Sequence, residues 1–380
     1  MFSKQFDFIC DHAEGVYMYD ENGRAYLDFF GGIAVNSAGN ANPKVVEAIR
    51  EQAGDAVHIS NYPYITAQAL LAEKICATIG FDKIFFQNSG AEANEAMIKL
   101  ARKYGADNYG AEKYYIITAL NSFHGRTYGA LSATGQPGGA LHRGFAPLLP
   151  GFSYAEFNNL DSFREQVTEN TIAIMIEPVQ GESGVYPATD EFIRGLRELC
   201  DEKGLLLLFD EVQTGWCRTG DIMGFMSYGV RPDIVSMAKA MGGGMPIAAV
   251  CADSGIAAAF TAGSHGTTFG GNPVCCAAAL AQIDELLSRN LAQNAREAGD
   301  YFAAKLKTLP HVREVRHRGL MVGVEFDAPL AHAVKLGCFA GGLLITEINA
   351  SSVRMVPPLI VSSEDCDKAF GIIKNTLKNK

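Results

Sequence analysis

The spacing of apolar residues changes character twice along the chain. Val16-Tyr17-Met18-Tyr19 and Arg24-Ala25-Tyr26-Leu27 flank the turn formers Glu21-Asn22-Gly23, which predicts a β-hairpin. Spacing of three and four then takes over. Pro43 opens a helix through Val45, Val46 and Ile49, and a second helix runs from Thr66 through Leu70, Leu71 and Ile75 to Gly80. Short apolar runs at 83–86, 114–118, 172–176, 205–209, 233–236 and 246–251 then alternate with helical patterns. Runs too apolar to alternate are strands of a buried, mostly parallel sheet with helices on both faces, so the fold class is α/β. From about Asn272 two helical stretches, to about Ser288 and from Leu291 to Thr308, precede strand patterns at 312–316 and 321–325. A smaller α+β unit is expected there.

Composition narrows the partners. With 380 residues, 48% hydrophobic and 19% charged, the chain has the makings of a large core and is not a disordered polymer. Its 40 glycines and 14 prolines suit many short connections between strands and helices. A net charge of −10 disfavours nucleic acid and anionic membrane as partners. Nine cysteines without a CxxC pair suit reduced thiols better than a disulfide framework or a zinc site, and no metal is expected. Asp7 and Asp11 interrupt the start, and no apolar run nears the roughly 20 residues that span a bilayer, so a cytoplasmic location is expected.

Three constellations can carry chemistry. Asn88-Ser89-Gly90-Ala91-Glu92 follows a strand and opens a helix, where free amides suit a phosphate; Ser89 and Glu92 also read as a purely structural capping box. Leu205–Phe209 delivers Asp210 and Glu211 to the carboxyl edge of the sheet, where open α/β sheets bind ligands. A magnesium-binding strand looks alike, but the chain has no G-x-x-x-x-G-K-[ST] loop and no G-x-G-x-x-G. Lys239, set among apolar residues and Gly242-Gly243-Gly244, reads as a partly desolvated amine able to attack a carbonyl. Most lysines reach solvent, but Lys239 follows Asp210 by about one αβ unit, which places both at one sheet edge. A phosphate cradle, a buried carboxylate and a desolvated lysine are together the parts that hold pyridoxal 5'-phosphate.

The segments NSGAEANE (88–95), SFHGRT (122–127), EPVQGE (177–182), DEVQ (210–213), AKAMGGG (238–244) and HGTTFGGNP (265–273) resemble, in order, the class III aminotransferases of the fold-type I pyridoxal phosphate enzymes. Within them the chain is most similar to the N-acetylornithine aminotransferases. Where that family commonly has histidines, this chain has Asn40 and Asn42. The resemblance implies a large cofactor-binding domain over 41–271, a small domain over 272–380, and a segment 1–40 belonging to the small one. It implies that Lys239 forms the internal aldimine and shuttles the proton, that Asp210 bonds the pyridinium nitrogen, and that Gln213 reaches the phenolic oxygen. Phe123 would stack on the ring, Ser89, Gly90 and Ala91 would hold the phosphate, and Glu211 and Val212 would belong to the same cofactor site. Thr268 would reach the phosphate of a second subunit, implying a homodimer with shared sites, and Thr267 would touch substrate.

By the same resemblance Arg126 grips the far carboxylate of each substrate, and Arg354 takes the α-carboxylate of glutamate. Glu182 would pair with Arg354 when the substrate brings only a primary amine. The implied reaction moves the δ-amino group of N-acetylornithine to 2-oxoglutarate in a ping-pong cycle, a step of arginine biosynthesis. Other ω-amine donors (ornithine, 4-aminobutyrate, succinylornithine, succinyl-diaminopimelate) and a glutamate-1-semialdehyde type of aminomutase are the alternatives. Relatives acting on free ornithine carry a tyrosine where this chain has Gly32, which leaves room for an acylated amine.

Overall fold

The structure is a computed structural model and describes residues 6–378. Its centre is a seven-stranded sheet in the order Lys83–Gln87, Ala248–Ala252, Ile234–Met237, Leu206–Asp210, Thr171–Ile176, Tyr115–Ala119, Phe152–Ala155. Ala248–Ala252 runs antiparallel to both neighbours and the other pairings are parallel. The two central strands, Thr171–Ile176 and Leu206–Asp210, are buried at every residue. Leu206 and Leu208 enter an apolar cluster with Met97 and Ile98 of helix Gly90–Tyr109, whereas Leu207 and Phe209 join Leu196 and Leu199 of helix Asp190–Lys203 on the opposite face. That two-sided burial is why these runs carry no polar alternation.

Strand bounds shift slightly from those expected. Asp233 stays outside its strand because its carboxylate accepts from Leu207 N at 2.7 Å and pairs with Arg197. The edge strand Phe152–Ala155 went unpredicted, since Phe-Ser-Tyr-Ala is short and only half-buried. The helix opened by Asn88-Ser89 is Gly90–Tyr109, ending at Gly110.

The expected hairpin is the pair Tyr17–Asp20 and Ala25–Asp28, extended by Cys10–Glu14. Ala25–Asp28 also pairs in parallel with Leu343–Leu344, so the two ends of the chain share one sheet. A further antiparallel sheet, ordered Val312–Arg318, Met321–Phe326, Ser352–Met355, Thr346–Asn349, lies beside helices Leu291–Leu306 and Ser363–Leu377. The two asparagines have clear local work. Asn42 Oδ1 caps helix Pro43–Asp55 by accepting from Lys44 N (3.0 Å) and Val45 N (3.3 Å), while its Nδ2 donates to Glu285 (3.1 Å). Asn40 Nδ2 donates to the buried Asp28 at 3.0 Å.

Candidate active site

Parallel strands place their carboxyl ends along one edge, and a cavity of about 460 Å³ opens there. Asp210 closes strand Leu206–Asp210 and points into it. Its Oδ1 accepts from Val212 N (3.0 Å), and its Oδ2 accepts from Asn94 Nδ2 (2.7 Å) and His124 Nδ1 (2.8 Å). Because a carboxylate only accepts, His124 carries its proton on Nδ1. Asn94 is itself fixed, accepting from Ser236 Oγ (2.6 Å) and donating to His124 O (2.7 Å). Beside them Glu177 accepts from Phe123 N (3.0 Å) and Gly181 N (3.4 Å). Burial first, and then the charge of Asp210, push its pKa well above the ordinary carboxyl value.

Lys239 leaves strand Ile234–Met237 at the start of a 3-10 turn with φ +43°. A left-handed backbone at a non-glycine residue costs about 1–3 kcal/mol and is held by its surroundings. The amine has neither an ion pair nor a hydrogen bond among the described residues. Burial lowers its pKa, Glu182 opposes that shift and Arg354 reinforces it. Across the cavity, Ser89 caps helix Gly90–Tyr109: its Oγ accepts from Glu92 N (3.2 Å) and Glu92 Oε2 accepts from Ser89 N (3.1 Å). The cap uses the amide of the third helical residue, Glu92, and leaves those of Gly90 and Ala91 at the cavity wall. A Cβ on Gly90 would lie 2.6 Å from Val212 Cγ1, so glycine is required where Val212 packs on the helix start.

The mouth carries Phe123 and Arg126, with the Arg126 guanidinium carbon 5.4 Å from the Phe123 ring centroid. Val35 reaches the wall from a turn whose residues Gly31, Gly32, Ile33 and Ala34 all have φ between 57° and 65°. A Cβ on Gly31 would lie 2.3 Å from Val356 O, whereas one on Gly32 would meet the Asn36 side chain at 3.2 Å and Val35 Cβ at 3.5 Å.

A second pole adjoins through Gln213. Arg354 Nη1 donates to Glu182 Oε1 (2.7 Å), Gly181 O (2.9 Å) and Gln213 Oε1 (3.3 Å), and Gln213 Nε2 donates to Glu182 Oε1 (3.0 Å). Burial raises the Glu182 pKa, but Arg354 and then Lys239 outweigh it and leave the group at about 2. Arg354 Nε is buried with no partner among the described residues.

Ser89, Gly90, Ala91, Phe123, Arg126, Asp210, Val212, Gln213 and Lys239 thus line one cavity, with Glu182 and Arg354 beside it. Three expected residues lie elsewhere. Glu211 points the opposite way from Asp210, as successive residues at a strand end do, and its carboxylate accepts from Gly224 N (2.9 Å), Phe225 N (2.6 Å) and Thr214 Oγ1. Its side chain secures the turn beneath the cavity and does not face it. Thr267 Oγ1 accepts from Gly270 N (3.0 Å), and Thr268 is exposed on the same loop outside the cavity. Sequence reasoning missed Asn94, His124 and Glu177, although all three lie inside the quoted segments. What marks them is the contact with Asp210 or Phe123, which spacing does not reveal.

The donor set fits pyridoxal phosphate: two helix-terminal amides for a phosphate, a carboxylate held by three donors for a ring nitrogen, and an unpaired amine of lowered pKa in the same cavity. The family described as aminotransferase class-III matches residues 2–377. An acetylornithine aminotransferase of Caldanaerobacter subterraneus is 47% identical over 369 residues, 96% of this chain and 93% of that protein. One from Methanocaldococcus jannaschii is 46% identical over 93% of this chain and 89% of its own length. Among solved structures, the ornithine aminotransferase of Toxoplasma gondii superposes with a TM-score of 0.94 at 29% identity, covering 100% of this chain and 91% of the other. An acetylornithine aminotransferase of Elizabethkingia anophelis gives 0.87 at 31% identity, with 98% and 94% covered.

Proposed function

The chain belongs to the class-III aminotransferases, pyridoxal phosphate enzymes, and on that premise we propose that it moves the δ-amino group of N-acetyl-L-ornithine to 2-oxoglutarate. The products are N-acetylglutamate 5-semialdehyde and glutamate, a step of arginine biosynthesis. The observation that carries this reading is the Glu182–Arg354 pair beside Lys239, a carboxylate site that can be masked or opened. An ω-amine donor needs it masked, and glutamate needs it open.

When bound, pyridoxal phosphate supplies an electron-withdrawing ring that stores the amino group between the two half-reactions. Asp210 holds a proton at its ring nitrogen, and Asn94 and His124 fix the carboxylate for that task. Lys239 moves the proton at the substrate carbon that carries the amine, and its burial shifts the amine toward the neutral form that this step uses. Ser89, Gly90 and Ala91, which line the cavity with Val212, Phe123 and Gln213, would hold the phosphate; Val212 and Phe123 would enclose the ring, and Gln213 would reach the phenolic oxygen. Arg126 at the mouth holds the far carboxylate.

The same reading includes a homodimer. Thr268 is turned outward, beside Phe269 at 61% exposure, Tyr62 at 100% and Tyr64 at 104%, a surface that a second copy would cover while Thr268 completes its phosphate site. It also includes a large unit over 41–271, a small one from 272–380 with 1–40, and a cytoplasmic location; no helix among the described residues is long and apolar enough to cross a membrane. Steady-state rates on a panel of ω-amino donors with 2-oxoglutarate test the substrate. N-acetylornithine is expected to exceed ornithine in kcat/KM by about a hundredfold, since a free α-ammonium would be desolvated beside Gly32 without a partner. Equal consumption of the two in competition would overturn the reading.

A further inference from the structure

Glu182 hangs from a loop whose two ends are fixed to one row of the antiparallel sheet. The register sets Arg316 opposite Gly323 and Gly323 opposite Arg354, so the three residues share a face across adjacent strands. The loop 181–185, at the tip of the hairpin Val179–Gln180 and Tyr186–Pro187, crosses that row. At one end Arg354 holds Gly181 O and Glu182 Oε1. At the other, Arg316 Nε donates to Gly184 O at 3.2 Å. Between them Gly323 leaves the gap the loop fills: a Cβ there would lie 2.4 Å from Gly184 O and 3.0 Å from Val185 Cβ.

Arg316 is built into this place. It is 7% exposed, its Nη1 bonds Glu325 Oε2 at 2.5 Å and also Glu314, and its guanidinium carbon stands 4.0 Å from the centroid of the Tyr186 ring. Those partners hold the head while Nε is directed at the loop. Its Nη2 is buried with no partner among the described residues, an expense an apolar side chain would avoid. Val185, at φ +60°, is buried against Val179, Met321 and Val356, so the loop's end is anchored by packing as well.

We infer that Arg316 and Gly323 are positioning residues for the Glu182–Arg354 pair, pinning the loop so that Glu182 engages or releases Arg354 by side-chain rotation with its backbone held in place. The inference rests on the masking role given to Glu182 above. Freed from the pin, the loop spreads over many conformations and Glu182 meets Arg354 less often. The mask weakens, and the glutamate half-reaction gains over the ω-amine one.

The test uses holoenzyme carrying Arg316→Gln or Gly323→Ala, each with Glu182 intact and with Glu182→Ala, and reads the single-turnover kcat/KM ratio of glutamate to N-acetylornithine. With Glu182 present, each change is expected to shift the ratio about fivefold toward glutamate, the worth of one hydrogen bond. In the Glu182→Ala background neither shifts it further. No shift, or an equal shift in both backgrounds, overturns the inference, because a merely structural defect acts with or without Glu182. If Arg316→Gln fails to fold because Glu325 keeps only Arg313 as its cationic partner, Gly323→Ala keeps every charge and decides alone. A Glu182→Ala enzyme with an unchanged ratio overturns the masking role itself, and with it this inference; a changed ratio there with an unmoved Gly323→Ala enzyme overturns only the positioning.

Discussion

Arg354 Nη1 stands 2.7 Å from Glu182 Oε1, and the buried Nε of the same guanidinium has no partner among the described residues. The arginine is therefore held by one carboxylate yet keeps donor capacity for a second, so a substrate carboxylate can replace Glu182 without leaving the Arg354 charge unpaired.

Removing the mask should bias the enzyme. Glu182→Ala is expected to raise the glutamate to N-acetylornithine ratio of kcat/KM by about tenfold or more, the range of a charge-assisted hydrogen bond. With the Glu182 pKa at about 2, that ratio should show no titration step from this group between pH 5 and 8. Single-turnover rates that fall equally for both substrates would contradict the role.

Lys239→Ala should lower turnover at least about a thousandfold, because the nucleophile and the proton carrier are lost together. Borohydride treatment of wild-type holoenzyme should fix the cofactor to the peptide containing Lys239. Labelling of a different lysine would displace the assignment.

Asp210→Asn should leave the fold intact and remove most activity, since an amide cannot hold the ring nitrogen protonated. Asn94→Ala removes one donor to Asp210 and the acceptor of Ser236, and is expected to weaken cofactor binding about tenfold. Steady-state rates read the first and absorbance titration of apoenzyme the second; wild-type affinity in Asn94→Ala would show that His124 and the Val212 amide suffice.

Thr268→Ala should loosen the cofactor and, through linkage, the association of two copies. Sedimentation of apo- and holoenzyme reads this. A monomer with full activity would rule out shared sites.

Glu211 provides a stability signature. Burial outweighs its three hydrogen bonds and raises its pKa from 4.5 to about 7. Between those values the native state keeps a proton that the unfolded chain releases, so this group's contribution is full below pH 4.5 and is lost as pH rises through 7. Glu211→Gln should therefore gain on wild type by roughly 2–3 kcal/mol between pH 5 and pH 8, read from urea midpoints at each pH. A constant difference would mean the carboxyl titrates normally.

What sequence alone determined was local, or followed from the rules of parallel sheets. The Ser89 and Glu92 cap needs only backbone amides within one helical turn. Asp210 and Lys239 share an edge because successive parallel strands end together, as the Asp210 to Ser236 register confirms. Tertiary structure decided the rest. Whether Asp210 or Glu211 faces the cavity depends on which way the strand end turns, and both are acidic. Glu182 and Arg354 are 172 residues apart, as are Gly184 and Arg316 by 132, and these pairs exist only once a hairpin lies across a distant sheet. Hydrogen bonds between side chains so far apart carry no periodicity along the chain, because the entropy of bringing them together is met by burial of the whole core and not by their own contact.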